Sequence, residues 1–111
     1  MSLRFGTDGV RGVANTELTP TFALALGAAV VDAFDTTQVV IGVDTRRSGS
    51  MLAAAVSAGV ASAGADAIEL EVIPTPAVAR EARVRNCPGV MVSASHNAFQ
   101  DNGLKVFGPG G

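Results

Sequence analysis

The sequence has no Trp and no Tyr, and it holds a single Cys, a single His and a single Lys. Lone Cys87 rules out an intramolecular disulfide, which suits a reducing compartment and predicts a cytoplasmic protein. Its expected place is that of a small, inert, buried side chain. One His and one Cys cannot build a zinc site of ordinary spacing. Basic residues are also scarce: seven Arg and Lys105 stand against ten acidic residues, for a net charge of -2. A nucleic-acid binder usually carries a basic stripe, and its absence argues against that class. No apolar run reaches the roughly 18 residues of a membrane span. Ala23 to Val31 comes nearest and is closed by Asp32 and Asp35. The N-terminus lacks a basic stretch followed by an apolar one, so no signal peptide is expected.

What is present is a folding composition. Hydrophobic residues make up 48% and charged residues 16% of 111 positions, enough for one core and too short a chain for two. Ala and Val fill 34 of those positions, which favours helices packed closely on a sheet. Thr19-Pro20 opens a helix whose periodic face is Phe22, Leu26, Ala29, Val30, Ala33 and Phe34. Gln38 to Val43 is a nearly all-apolar run, as expected of a strand buried on both faces. Ser48 is placed to cap a second helix, with Leu52, Ala55, Val56, Gly59, Val60 and Ala63 inward and Gly64 as terminator. Ala67 to Ile73 reads as a strand, Thr75-Pro76 as another helix start ending near Asn86, and Gly89 to Ser93 as a buried strand. Leu104 to Phe107 reads as a short fourth strand. This alternation predicts an α/β layer structure with at least three parallel strands and right-handed crossovers. Ligands of such sheets sit beyond the carboxyl ends of the strands. That rule singles out Asp44 to Ser48, Pro74 to Pro76 and Ser93 to Asn97.

Three segments could carry chemistry. Phe5-Gly-Thr-Asp-Gly-Val-Arg-Gly12 lets backbone approach an anion and offers the Arg11 fork to a phosphate, or it is a glycine-rich turn. It is not a dinucleotide fingerprint, because the spacing differs and no helix follows. Asp44-Thr-Arg-Arg-Ser-Gly49 puts Arg46 at a helix start suited to an anion. Equally, Asp44 simply pairs with Arg46 or Arg47. Ser93 to Lys105 gathers two Ser, the only His, two Asn and the only Lys, though Asp101-Asn102-Gly103 is also turn chemistry. Ser95 and His96 are neighbours and point to opposite faces of an extended chain, so His96 is a poor direct base for Ser95. Lys105 is the other candidate. An ordinary Lys titrates near about 10.4, so a Lys base needs burial or nearby positive charge, for which Arg11 is available. Asp8, Asp44 and Asp101 are scattered, so Mg²⁺ is expected only if phosphate oxygens or another domain help hold it.

These segments together resemble the α-D-phosphohexomutase superfamily. The matching pieces are Phe5 to Gly12, Asp44 to Gly49, Pro74-Thr-Pro-Ala-Val-Ala79, Ser93-Ala-Ser-His-Asn97 and Asp101-Asn-Gly-Leu-Lys105. They stand in family order and span essentially the whole chain. The opening Gly-Thr-Asp-Gly-Val-Arg-Gly resembles the bacterial glucosamine-phosphate branch. Many members have Pro after Ser-His-Asn, where this chain has Ala98.

The resemblance implies a three-layer α/β/α fold with a mostly parallel, mixed sheet, the first of four domains. It implies interconversion of glucosamine 6-phosphate and glucosamine 1-phosphate, on the way to UDP-N-acetylglucosamine and the cell wall. Ser95 is then the phosphorylated nucleophile, supported by Lys105 and Arg11. Thr7, Asp8, His96, Asn97 and Arg46 belong to the phosphate-binding loops. Mg²⁺ is held by the Ser95 phosphate with aspartates of a second domain, and a glucose or glucosamine 1,6-bisphosphate activates. The expected partner is a phosphosugar, with no nucleic acid and no membrane. Ending on Gly108-Pro-Gly-Gly111 after a strand, the chain is expected to be a truncated first domain, inactive alone and prone to form a homodimer. A phosphoglucomutase or phosphomannomutase of the same superfamily and a non-catalytic α/β module are the alternatives. A nicotinamide-binding domain is disfavoured because the loop after Val43 lacks its glycines.

Overall fold

A computed structural model describes residues 9–94 and 100–111. The elements are β1 (Val10–Val13), α1 (Pro20–Phe34), β2 (Gln38–Val43), α2 (Gly49–Ser62), β3 (Asp66–Val72), α3 (Thr75–Arg85), β4 (Gly89–Val92) and β5 (Asp101–Phe107). Local chemistry sets several boundaries. Thr19 Oγ1 accepts from Phe22 N–H at 3.1 Å and Pro20 takes the first turn, so α1 starts where the Thr-Pro pair puts it. Asn86, in the left-handed region at φ 52°, ends α3.

The strands form one sheet in the order β1-β5-β4-β2-β3. β2 pairs in parallel with β3 and β4, and β5 pairs antiparallel with β4 and β1. Two parallel and two antiparallel pairings make the mixed sheet, in which β5 runs against β1, β2, β3 and β4. Alternate residues of β2 face opposite layers. Val39 and Ile41 join the larger core with Leu26, Val30, Leu52 and Val56 of α1 and α2. Val40 meets Val78 and Ala82 of α3 in a smaller core that also holds Met91 and Cys87. Two helices on one face and one on the other give the three layers. No helix among the described residues is long and apolar enough to cross a membrane.

Four local expectations are corrected. First, Ser48 makes no side-chain cap bond to α2. Its Oγ instead accepts from Asn102 Nδ2 at 2.9 Å. Second, Asp101-Asn102-Gly103 is not a turn but the start of β5, and Val10–Val13 is the edge strand that pairs with it. The reason is steric and polar together. Asn102 is fully buried with its Oδ1 on Gly103 N–H at 2.9 Å, and a Cβ at Gly103 would meet the backbone oxygens of Ser93 and Val10. Third, Pro74 rather than Thr75 precedes α3, and Thr75 lies within its first turn. Fourth, the buried side of α1 is Ala23, Leu26, Gly27, Val30 and Val31. Ala29, Ala33 and Phe34 are exposed and, with Phe22 and Val106, line an open apolar groove. α1 is rotated because it packs on α2 as well as on the sheet, and Gly27 and Gly59 let the two helix backbones come close.

Candidate functional site

The parallel strands β2 and β4 end side by side, with Asp44 N–H donating to Val92 O at 3.2 Å. The Asp44 carboxylate is the hub of this edge. Its Oδ1 accepts from Arg46 N–H at 3.0 Å, closing a short Asx turn. Its Oδ2 accepts from Arg46 Nε at 3.1 Å and from Ser93 Oγ at 2.8 Å. Arg46 Nη1 then reaches Asp101 O at 3.2 Å. The Arg46 side chain is 8% exposed, so these charge-assisted bonds are largely shielded from water.

On the α3 side of the same edge lies a cavity of about 370 Å³ lined by Arg11, Thr75, Pro76, Ala79, Met91, Ser93, Lys105 and Phe107. Strand register explains the grouping. Arg11 is paired with Gly103 and Lys105 with Met91, and side chains two apart share a face. So Arg11, Lys105, Met91 and Ser93 all project toward the layer of α3. That helix packs mainly on β2 and β4, so among the described residues no helix lies squarely over this face of β5 and β1. The trough between helix and strands is the cavity. Lys105 Nζ lies 5.7 Å from the Phe107 ring centroid, a cation–π contact that holds the ammonium at the wall. The first turn of α3 also borders the cavity and adds the positive end of a helix dipole. Two cations and no carboxylate, among the described lining residues, make this a place for an anion.

The structure therefore brings together Arg11 and Lys105, two of the residues singled out from sequence. Arg46 lies at the same strand edge but is engaged with Asp44 and with the start of β5, so the pairing alternative for Asp44 holds with Arg46. Thr7, Asp8, Ser95, His96 and Asn97 lie outside the described residues. Sequence reasoning placed Ser93 and Thr75 in strand-end loops and read Asn102 as part of a turn, but it named none of the three as a site residue. Ser93 was detectable as a lone hydroxyl ending the apolar run Gly89–Val92. Asn102 was hidden by its own turn propensity. Among the described residues no group of three or more His, Cys, Asp or Glu could hold a metal, and Asp44 is committed to Arg46 and Ser93. The described residues do not fit a magnesium site by themselves.

Comparison with known proteins bears on the same residues. Residues 2–111 match the family described as phosphoglucomutase/phosphomannomutase, alpha/beta/alpha domain I. The chain is 55% identical to a phosphoglucosamine mutase of Mycobacterium leprae, with 100% of this chain and 26% of the relative covered. It is 53% identical, at the same coverage, to a phosphoglucosamine mutase of Mycolicibacterium vanbaalenii. Among solved structures, a putative phosphomannomutase from Thermus thermophilus superposes with a TM-score of 0.83 at 33% identity, over 98% of this chain and 26% of that one. A phosphoglucomutase/phosphomannomutase family protein from Burkholderia thailandensis gives 0.82 at 29%, over 96% of this chain and 26% of that one. The chain thus spans about a quarter of the length of the proteins it matches.

Proposed function

This chain belongs to the phosphoglucomutase/phosphomannomutase family, as its α/β/α domain I, and on that premise we propose that it is the phosphoserine-bearing domain of a phosphoglucosamine mutase. The observation that carries the proposal is the cationic cavity of Arg11 and Lys105, at the strand edge from which the Ser95 segment departs. The 52–55% identity to phosphoglucosamine mutases along the whole chain supports the choice of sugar.

In this reading Ser95 carries the phosphoryl group. The bond from Ser95 Oγ to phosphorus breaks as a hydroxyl oxygen of the sugar monophosphate bonds to phosphorus, which gives a sugar 1,6-bisphosphate. The bisphosphate reorients and returns its other phosphoryl group to Ser95. Lys105 takes up and returns the hydroxyl proton, and Arg11 offsets the negative charge that builds on the transferring oxygens. A cationic wall fixed before substrate arrives is well placed for this, since its charges need not reorganise during transfer. Thr7, Asp8, His96 and Asn97 shape the phosphate surroundings. The proposal includes a Mg²⁺ bound to the Ser95 phosphate with carboxylates outside this chain, a bisphosphate activator and a cytoplasmic location. It also includes a homodimer, to be checked by concentration-dependent light scattering.

The test is made in the longer protein that this reading calls for. Mass spectrometry is expected to find phosphate on Ser95, and Ser95→Ala is expected to abolish conversion of glucosamine 6-phosphate. Full activity with Ala at position 95 would end the proposal. Because the solved relatives carry phosphomannomutase and phosphoglucomutase names, mannose 6-phosphate and glucose 6-phosphate are assayed in parallel. Faster turnover of either would reassign the substrate. This chain alone, given glucosamine 6-phosphate, Mg²⁺ and bisphosphate, is expected to show no turnover.

A further inference from the structure

We propose that Asp44 and Arg46 form a positioning pair that fixes the two ends of the segment carrying Ser95, rather than a binding site for substrate phosphate. The inference rests on the reading of Ser95 given above. Its basis is the set of partners around the pair. Ser93 is the residue just beyond β4, and its hydroxyl donates to Asp44 Oδ2 at 2.8 Å. Asp101 is the first residue of β5, and its carbonyl accepts from Arg46 Nη1 at 3.2 Å. The two ions are joined to each other at 3.1 Å. One ion pair on the loop after β2 therefore holds both the residue where the chain leaves β4 and the residue where it enters β5. Ser95 lies between those two points in sequence.

Three features favour a mechanical role over a ligand role. The Arg46 side chain is 8% exposed, while the cavity that holds the cations Arg11 and Lys105 is lined without it. Each oxygen of the Asp44 carboxylate already accepts from a protein donor near 3 Å, so both are engaged by the fold. A second tie, Asn102 Nδ2 to Ser48 Oγ at 2.9 Å, anchors the start of β5 to the same β2–α2 loop one residue further on. Two independent bonds between these segments resist relative sliding, which one bond alone permits.

Phosphoryl transfer depends on in-line placement of the reacting atoms, and misplacement by about 1 Å can cost about 100-fold in rate. The pair thus acts on turnover through geometry. Asp44→Asn is the sharpest perturbation, because an amide keeps the size but can accept at only one of its two positions. Its NH2 group must then face either Arg46 N–H or the Ser93 and Arg46 Nε donors.

The experiment has two arms. In this chain, hydrogen exchange of the Ser93 and Gly103 amides, both hydrogen-bonded where the chain leaves β4 and enters β5, is compared with that of α1 and β2. Asp44→Asn and Arg46→Met are expected to speed exchange of these two amides at least about tenfold more than in α1 and β2, as local opening requires. A uniform increase overturns the proposal, since it reports a general loss of stability. In the longer protein, both variants are expected to lower kcat by about 10- to 100-fold with KM for the sugar phosphate within about threefold, and the double variant to be no worse than the poorer single one. A KM raised about tenfold by Arg46→Met but not by Asp44→Asn, with kcat retained, would make Arg46 a phosphate ligand and overturn it. If Asp44→Asn does not fold, Ser93→Ala removes one bond of the set and is read the same way. The exchange arm needs no catalysis, so it tests the pair separately from Ser95→Ala, which tests the catalytic reading.

Discussion

Gly59→Ala is a substitution for which helix propensity and tertiary packing predict opposite signs. In an exposed helix the change gains about 1 kcal/mol, because Gly is the poorer helix former. Gly59 is buried, however, and faces α1. An added Cβ would run into the Leu24 carbonyl oxygen and come within 2.8 Å of Leu24 C and 3.0 Å of Ala28 N. Carbon contacts are comfortable at about 3.5–4.0 Å. The obstacle is helix backbone, which cannot swing aside as a side chain does, so the two helices must part by about 1 Å. A gap of that size forfeits between a quarter and a half of each dispersion contact along the seam. Overpacking of this kind costs about 1–3 kcal/mol and occasionally more. With an unyielding neighbour the upper end applies, leaving a net loss of about 2 kcal/mol after the propensity gain. The assay is urea unfolding, with midpoint and slope both fitted. Ala54→Gly, at an exposed interior position of the same helix, calibrates the propensity effect and is expected to cost about 1 kcal/mol. Gly27→Ala meets the Val56 carbonyl from the other side, and the double variant is expected to cost less than the sum, since the helices part only once. A Gly59→Ala midpoint at or above wild type would refute the packing argument.

Two further outcomes are open to direct measurement. Asn102→Ala strands the buried Gly103 N–H and takes the partner from the half-buried Ser48 hydroxyl, and is expected to lower stability by about 2–3 kcal/mol, against about 1 for Ser48→Ala; equal midpoints for Asn102→Ala and wild type would count against the buried network. Burial pushes the Cys87 thiol above its ordinary 9.0, the largest cause among those acting on it. Below pH 9 the thiol is protonated folded or unfolded, but above it the unfolded chain ionises first, so stability should fall as pH rises through the folded value. With no Tyr and one Lys in the chain, few other groups titrate there, and Cys87→Ala should flatten the alkaline slope of the urea midpoint; an unchanged slope would refute the assignment.

The fold was legible where local chemistry and burial agree. Thr19-Pro20 starts α1 because a hydroxyl cap and a preset φ act within four residues, and β2 occupies Gln38–Val43 because a strand covered on both faces must be apolar throughout. The order of elements gave the layers and the strand ends where the site lies. Ser48 and Asp101-Asn102-Gly103 went the other way. Each has a strong local preference, for a cap and for a turn, yet each bonds to a residue more than fifty positions away. Only the fold creates that partner, so no local pattern can report it. The same holds for Arg11 and Lys105. Their residue types and the family motifs marked them in sequence, but their shared cavity follows from the antiparallel register of β1 on β5 and from α3 stopping short of both strands.

The alternation of helical and strand-like runs indicated the α/β layer without help from the fold, while the scarce Cys, His and basic residues served to exclude other classes. The motifs decided the family, because they are short, contiguous and chemically specific. Tertiary structure alone decided that Arg46 turns to Asp44 and β5, that α1 rotates to meet Gly59, and that the two cavity cations stand together. Each of those outcomes depends on contacts between segments far apart in the chain, whose energies exist only once the chain has folded.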